Sequence, residues 1–143
     1  MTEGTRRRRE KPKIIFDSNA FFAPLKLNID IFEELKLLLN TNFEAILLSP
    51  IRRELERLVE RKMQKDKRVA YALQLAEKCR YVEVEDDLES PDDIIVRVAR
   101  DWGSIVFTND RQLRKRLRDI NTPVIYVRQK ARLEMDGRTP SLV

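Results

Sequence analysis

The sequence predicts an α/β fold in which helices cover a mainly parallel sheet. Short apolar runs of strand length alternate with longer stretches of helical spacing, from Ile14 to Val127. Two of the helical stretches open on Ser-Pro (Ser49-Pro50 and Ser90-Pro91), a cap residue followed by proline at the first helical position. The chain has 143 residues, 42% of them hydrophobic, which suits one domain with a substantial core.

Taken in order, Ile14-Ile15-Phe16 is a buried strand that stops at Asp17. Asp30 reads as an N-cap with Glu33 completing a capping box, and Ile31, Leu35, Leu38 and Leu39 have helical spacing. Ala45–Leu48 is a second strand, followed by helices over 50–62 and 67–80. Tyr81–Val84 is a short strand, and a helix runs from Pro91 to about Asp101. Ser104–Thr108 is a strand ending at Asn109-Asp110; residues 111–120 form a helix and Val124–Val127 a strand. A further strand or hairpin is expected around Ala131–Met135. Neither a repeat nor a linker interrupts the series, so a basic arm over 1–12 and one domain over 13–143 are expected.

Composition removes several chemistries. Histidine is absent and Cys79 is the single cysteine, so Ser-His-Asp and Cys-His catalysis, an internal disulfide and a cysteine-based zinc site are excluded. Acid–base or metal work falls to carboxylates. Charged residues break every apolar run before it reaches membrane-spanning length, and the N-terminus lacks the apolar segment of a secretory signal, so a cytoplasmic chain with no membrane partner is expected. The net charge of +5 is uneven: residues 1–13 hold six Lys/Arg against two Asp/Glu, leaving 23 basic and 22 acidic groups elsewhere. Arg6–Arg9 suit either phosphate binding or a solvated arm.

The strand ends carry acids. In open α/β sheets, sites form at the carboxyl ends of the strands. Asp17 and Asp110 end strands, Glu54 lies in the first turns of one helix, and Asp92 and Asp93 open another. At about 100° per residue, Ile51, Leu55, Leu58 and Val59 mark the buried face of helix 50–62, with Glu54 at its edge. Ile94, Ile95, Val98, Ala99 and Trp102 do the same for the next, with Asp92 at the edge and Asp93 turned to solvent. Asp17 is a charge at the end of an apolar strand and costs energy unless partnered, whereas each of the other acids also has a plain structural role open to it. Asp110 can cap helix 111–120, Asp93 can pair with Ser90 in a capping box, Asp92 suits the helix dipole, and Glu54 can pair with Arg53 or Arg57. Gathered on one edge, such carboxylates repel one another, and a hard divalent cation (Mg²⁺ or Mn²⁺) relieves the repulsion and suits phosphodiester chemistry.

These segments resemble PIN domains. Ile-Ile-Phe-Asp-Ser-Asn (14–19), Ser-Pro-Ile-Arg-Arg-Glu-Leu (49–55), Ser-Pro-Asp-Asp-Ile-Ile (90–95) and Ile-Val-Phe-Thr-Asn-Asp-Arg (105–111) are similar, in order and spacing, to the four motifs of that family over roughly residues 13–130. The double Asp and the basic helix after the fourth motif look most like archaeal members related to ribosomal-RNA-processing nucleases, with VapC-type toxins as wider kin. The resemblance implies a Rossmann-like three-layer α/β/α sandwich and a Mg²⁺- or Mn²⁺-dependent endoribonuclease that cuts single-stranded RNA, leaving 5′-phosphate and 3′-hydroxyl ends. By motif position, Asp17, Glu54, Asp92 and Asp110 match its catalytic and metal-binding quartet; Asp93 is auxiliary, and Asn19 and Thr108 match positions that orient the acids. It also implies a homodimer, and an antitoxin or a ribosome-assembly protein as partner.

Arginines flank the acids. Arg53 lies beside Glu54, and Arg111, Arg114, Lys115, Arg116 and Arg118 follow Asp110. Leu113, Leu117 and Ile120 mark the buried side of helix 111–120, which leaves Arg111, Arg114 and Arg118 to face RNA, or to form a solvated face. Rival readings fit less well. A phosphoaspartate enzyme of the haloacid-dehalogenase pattern needs an acid where Asn19 stands, and a catalytically silent RNA- or protein-binding module is usually marked by loss of the acids retained here.

Overall fold

A computed structural model describes residues 10–23, 30–62, 67–129 and 132–137. The chain runs β1 (Lys13–Phe16), a 3-10 turn (Ser18–Phe22), α1 (Ile31–Leu39), β2 (Glu44–Leu48), α2 (Ser49–Lys62), α3 (Lys67–Glu77) and β3 (Arg80–Val82). It continues through α4 (Pro91–Trp102), β4 (Ile105–Phe107), α5 (Arg111–Asp119), β5 (Val124–Arg128) and β6 (Arg132–Asp136). The six strands form one sheet in the order β3-β2-β1-β4-β5-β6. β1 to β5 are parallel, and β6 returns antiparallel to β5. The segment expected around Ala131–Met135 is a strand over Arg132–Asp136, the sheet's antiparallel edge, with Ala131 outside the described residues.

Burial explains the layering. Successive strand residues point to opposite faces. Ile14 to Phe16, Ala45 to Leu48, Ile105 to Phe107 and Val124 to Tyr126 are nonetheless all buried. Both faces are thus covered, which is the condition under which parallel strands read as unbroken apolar runs. The expected α/β/α sandwich is what the chain forms.

Under the carboxyl edge lies an aromatic cluster. The Phe16 ring stands 5.3 Å from Phe21, 5.3 Å from Phe107 and 6.0 Å from Phe32. Removing such a ring costs about 3–5 kcal/mol, so the floor beneath Asp17 is held firmly. After β1 the chain moves to β2 on one side; after β3 it crosses to β4 on the other. The β1/β4 boundary is the switch point, where a crevice opens at the strand ends.

Several boundaries differ from expectation. The helix expected over 67–80 stops at Glu77, because Arg80 already pairs with Ile46 in the sheet. Ser49 does not act as a simple cap; its hydroxyl accepts from Val84 N at 3.0 Å, pinning the chain beyond β3. Glu33 forms an ion pair with Lys36 at 3.4 Å, while Asp30 alone caps α1 through Phe32 N and Glu33 N. Trp102 and Ile120, expected on buried faces, are 39% and 37% exposed, since Trp102 is the last residue of α4 and Ile120 is the C-cap of α5. The 3-10 turn after Asp17 has no counterpart in the sequence reading. Most of the expected basic arm lies outside the described residues. Among those residues, no helix is long and apolar enough to cross a membrane.

Candidate active site

Asp17 is the centre of the site. It is only 3% exposed, yet its carboxylate is tied on both oxygens. Oδ1 accepts from Ser18 N at 2.8 Å. Oδ2 accepts from the Thr108 hydroxyl at 2.6 Å and from Asn19 Nδ2 at 3.0 Å. Asp17 also N-caps the 3-10 turn, which is what brings Ser18 and Asn19 round beside it. Burial pushes its carboxyl up to about 6; the hydrogen bonds from Thr108 and Ser18 oppose that rise, and the charges of Asp92 and Glu54 add to it.

Thr108, fully buried, joins two strand ends. Besides donating to Asp17, its Oγ1 accepts from Asp110 N at 3.1 Å, and Asn19 Nδ2 approaches it at 3.4 Å. Asn19 Oδ1 accepts from Asn109 N at 2.9 Å, and Asn109 Oδ1 accepts from Val127 N at 2.8 Å. The loops after β1 and β4 are thereby stitched to each other and to strand β5. Asn19 and Thr108 stand where acid-orienting residues were expected.

Glu54 reaches the site from the first turns of α2. Its Oε1 accepts the Ser18 hydroxyl proton at 2.7 Å, so its partner is Ser18 rather than Arg53 or Arg57. Asp92, in the first turn of α4, has its carboxyl raised by burial and then by the charges of Asp110 and Glu54. Asp110 caps α5 through Leu113 N at 3.0 Å, so its structural role is real, and its charge still acts on Asp92. The four acids thus belong to one electrostatic neighbourhood. Asp93 turns the other way: its backbone N–H is held by Ser90 Oγ at 3.2 Å, and its carboxylate meets Arg116 at 2.8 Å, which holds it below the usual carboxylate range.

The donor set fits a hard divalent cation. It is all oxygen, and Asp17 and Asp92 both feel the like charge of neighbouring acids, which Arg116 offsets in part at Asp92. Among the described residues, no three acidic side chains stand close enough to hold an ion by themselves. Water and substrate oxygens would complete the shell, the arrangement Mg²⁺ favours. Two hollows lie elsewhere. One of about 400 Å³ is lined by Leu47, Leu55, Leu73 and Tyr81, another of about 460 Å³ by Arg118, Thr122 and Asp136. The acids line neither, and their mutual electrostatics outweigh hollow size as a guide to the chemistry.

The arginines are placed less as expected. Arg53 pairs with Asp86. Arg114 and Arg118 lie 3.6 and 3.8 Å from Asp136, with the Arg114 guanidinium 3.6 Å over the Tyr126 ring. Asp136 pairs in register with Val124, at the amino end of β5, so these two arginines face the far edge of the sheet. Arg111 is exposed one residue after Asp110. The sequence reading missed Ser18 and Asn109. Ser18 lies inside a recognised motif, but its bond to a residue 36 positions away becomes visible only once the 3-10 turn is known.

A mainly parallel sheet with this ordered set of acids at its switch point defines a class, and the chain belongs to the PIN-like domain family, whose model matches residues 14–130. Among curated proteins it is similar to Ribonuclease VapC4 of Methanocaldococcus jannaschii, 38% identical over 127 residues, covering 87% of this chain and 97% of that protein. It is also similar to Ribonuclease VapC9 of Archaeoglobus fulgidus, 30% identical over 89 residues, covering 62% and 64%. Among solved structures it resembles the PIN domain endonuclease Utp24, with a TM-score of 0.74, 25% identity and coverage of 89% and 92%.

Proposed function

We propose that the chain is a Mg²⁺- or Mn²⁺-dependent endoribonuclease that hydrolyses phosphodiester bonds of single-stranded RNA at the carboxyl-edge cleft. The observation that carries the reading is the Asp17 carboxylate. It is buried, fixed on both oxygens by Ser18, Asn19 and Thr108, and set against the charges of Asp92 and Glu54. Structural acids are usually paired with a base; this one is held rigidly in the company of other acids.

A bound divalent cation would polarise the scissile phosphate and lower the pKa of its water toward neutrality. The protein's part is orientation. Thr108 and Asn19 fix Asp17, and Ser18 fixes Glu54 through the same turn. Asp110 is held by its cap to Leu113. Asp92 comes from the first turn of α4, near enough to Asp110 and Glu54 for their charges to act on it. Site groups fixed by a supporting shell lose little freedom when substrate arrives.

Two settings fit this chemistry, a VapC-type toxin and a ribosomal-RNA-processing nuclease. Similarity to a VapC ribonuclease over 97% of that protein's length favours the first, with an antitoxin as protein partner. The test is cleavage of a single-stranded RNA by wild type, Asp17→Asn and Asp92→Asn, with and without EDTA. Metal-dependent cutting by wild type alone is expected. Equal activity in all three, or indifference to EDTA, would overturn the reading.

A further inference from the structure

Resting on that nuclease reading, we propose that Arg116 grips an RNA phosphate beside the scissile one, and that Asp93 is the positioning residue that holds its guanidinium at the rim of the acid cleft. α5 carries five basic side chains, Arg111, Arg114, Lys115, Arg116 and Arg118, but the fold sorts them. Arg114 and Arg118 are one helical turn apart and share Asp136 at the far edge of the sheet. Arg116 lies two residues on from Arg114, roughly 200° around the helix, and leaves on the opposite side. There α5 packs beside α4, and Arg116 Nη2 meets Asp93 Oδ1 at 2.8 Å. The next residue back is Asp92, whose carboxyl feels the Arg116 charge directly.

The pair contributes little as a stabiliser. Its side chains are 45% and 46% exposed, and exposed ion pairs are worth about 0–1 kcal/mol. Its position is what matters. A cleft of four carboxylates repels a polyanion, and a cation at its rim offsets that repulsion. A guanidinium has five N–H donors in a planar fork. Asp93 engages the Nη2 end, which leaves donors for a phosphate oxygen. Asp93 is itself anchored, its backbone N–H held by the Ser90 cap, so the orientation of Arg116 is referred to the start of α4, where Asp92 sits.

The test measures binding of a short fluorescent single-stranded RNA across a salt series, and cleavage of the same RNA with Mn²⁺, for four single variants and one double variant. Arg116→Gln should raise Kd and KM roughly tenfold, reduce the salt slope by about one, and change kcat less. Arg116→Lys should keep the slope but recover only part of the affinity, because an ammonium lacks the fork. Asp93→Asn should raise KM by a smaller factor, and add nothing in an Arg116→Gln background. Arg118→Gln should move neither constant. An active enzyme whose KM and salt slope are unchanged by Arg116→Gln overturns the Arg116 assignment and leaves the nuclease reading standing. Equal losses from Asp93→Asn with and without Arg116 overturn the positioning role. Wild type that binds RNA without cutting it overturns the nuclease reading alone; loss of that binding in Arg116→Gln would still support the grip. Wild type that does neither overturns both.

Discussion

The two ends of the sheet treat charge in opposite ways. At the amino end, acids are matched: Asp136 lies against Arg114 and Arg118, and Glu44 meets Arg80 at 3.2 Å. At the carboxyl end, Asp17, Glu54, Asp92 and Asp110 face one another, and the neighbouring Arg116 is engaged by Asp93. The same helix, α5, serves both ends, with its acidic cap and Arg116 at one and Arg114 and Arg118 at the other. Matching charge is the ordinary outcome for a folded surface. An end that gathers its acids, and braces two of them with Ser18, Asn19 and Thr108, keeps a local like-charge repulsion that the amino end lacks.

Four experiments press on this contrast. The largest effect concerns catalysis. Asp17→Asn and Asp92→Asn should each lower RNA cleavage about a thousandfold or more, several kcal/mol of transition-state stabilisation, in single-turnover assays. Losses below tenfold would make the carboxyl end as ordinary as the amino end.

Next comes pH. Burial pushes the Asp17 carboxyl up to about 6 in the folded chain, against 3.8 for a free aspartate side chain. The folded state therefore holds this proton more tightly than the unfolded chain. The associated stability is complete below about pH 3.8 and is lost as pH rises through about 6, a change of about 3 kcal/mol. Denaturation of wild type should show that slope, and Asp17→Asn should lack it. Parallel pH profiles would remove the claim that Asp17 is strained by burial and like charge.

Metal should then reverse the deficit. Mn²⁺ at a hundredfold excess over its Kd should stabilise wild type by about 2.7 kcal/mol and Asp17→Asn by much less, read from thermal melting without RNA. Equal shifts in both would place the ion elsewhere.

The smallest effect belongs to the amino end. Asp136→Asn should cost no more than about 1 kcal/mol and leave cleavage rates alone, because its partners are partly exposed and far from the acids. A large loss of activity would show that the two ends are coupled.

Much of this was legible in the sequence because strands buried on both faces have unbroken apolar runs. Phe16 to Asp17 and Phe107 to Thr108 mark strand ends without ambiguity, and helical phase set Asp92 apart from Asp93. What escaped depended on distances along the chain that no local pattern records. Ser18 meets Glu54 only through a 3-10 turn, and Asn109 meets Val127 only across a strand pair. The arginines of α5 were assigned from the apolar face alone. That face says which side chains leave the core, but Asp136 and Asp93 decide where they go, and the register of β6 is not written in α5.

The Thr108 hydroxyl has a consequence in time as well as space. It lies 91 residues from the carboxylate that it holds. A chain emerging from the ribosome carries Asp17 early, but Asp17 lacks its brace until β4 has been made and has paired with β1. Asp92 and Asp110 arrive just as late. The nascent polypeptide is therefore unarmed until β4 has been made, while it is surrounded by RNA, and the cleft forms only as the domain closes.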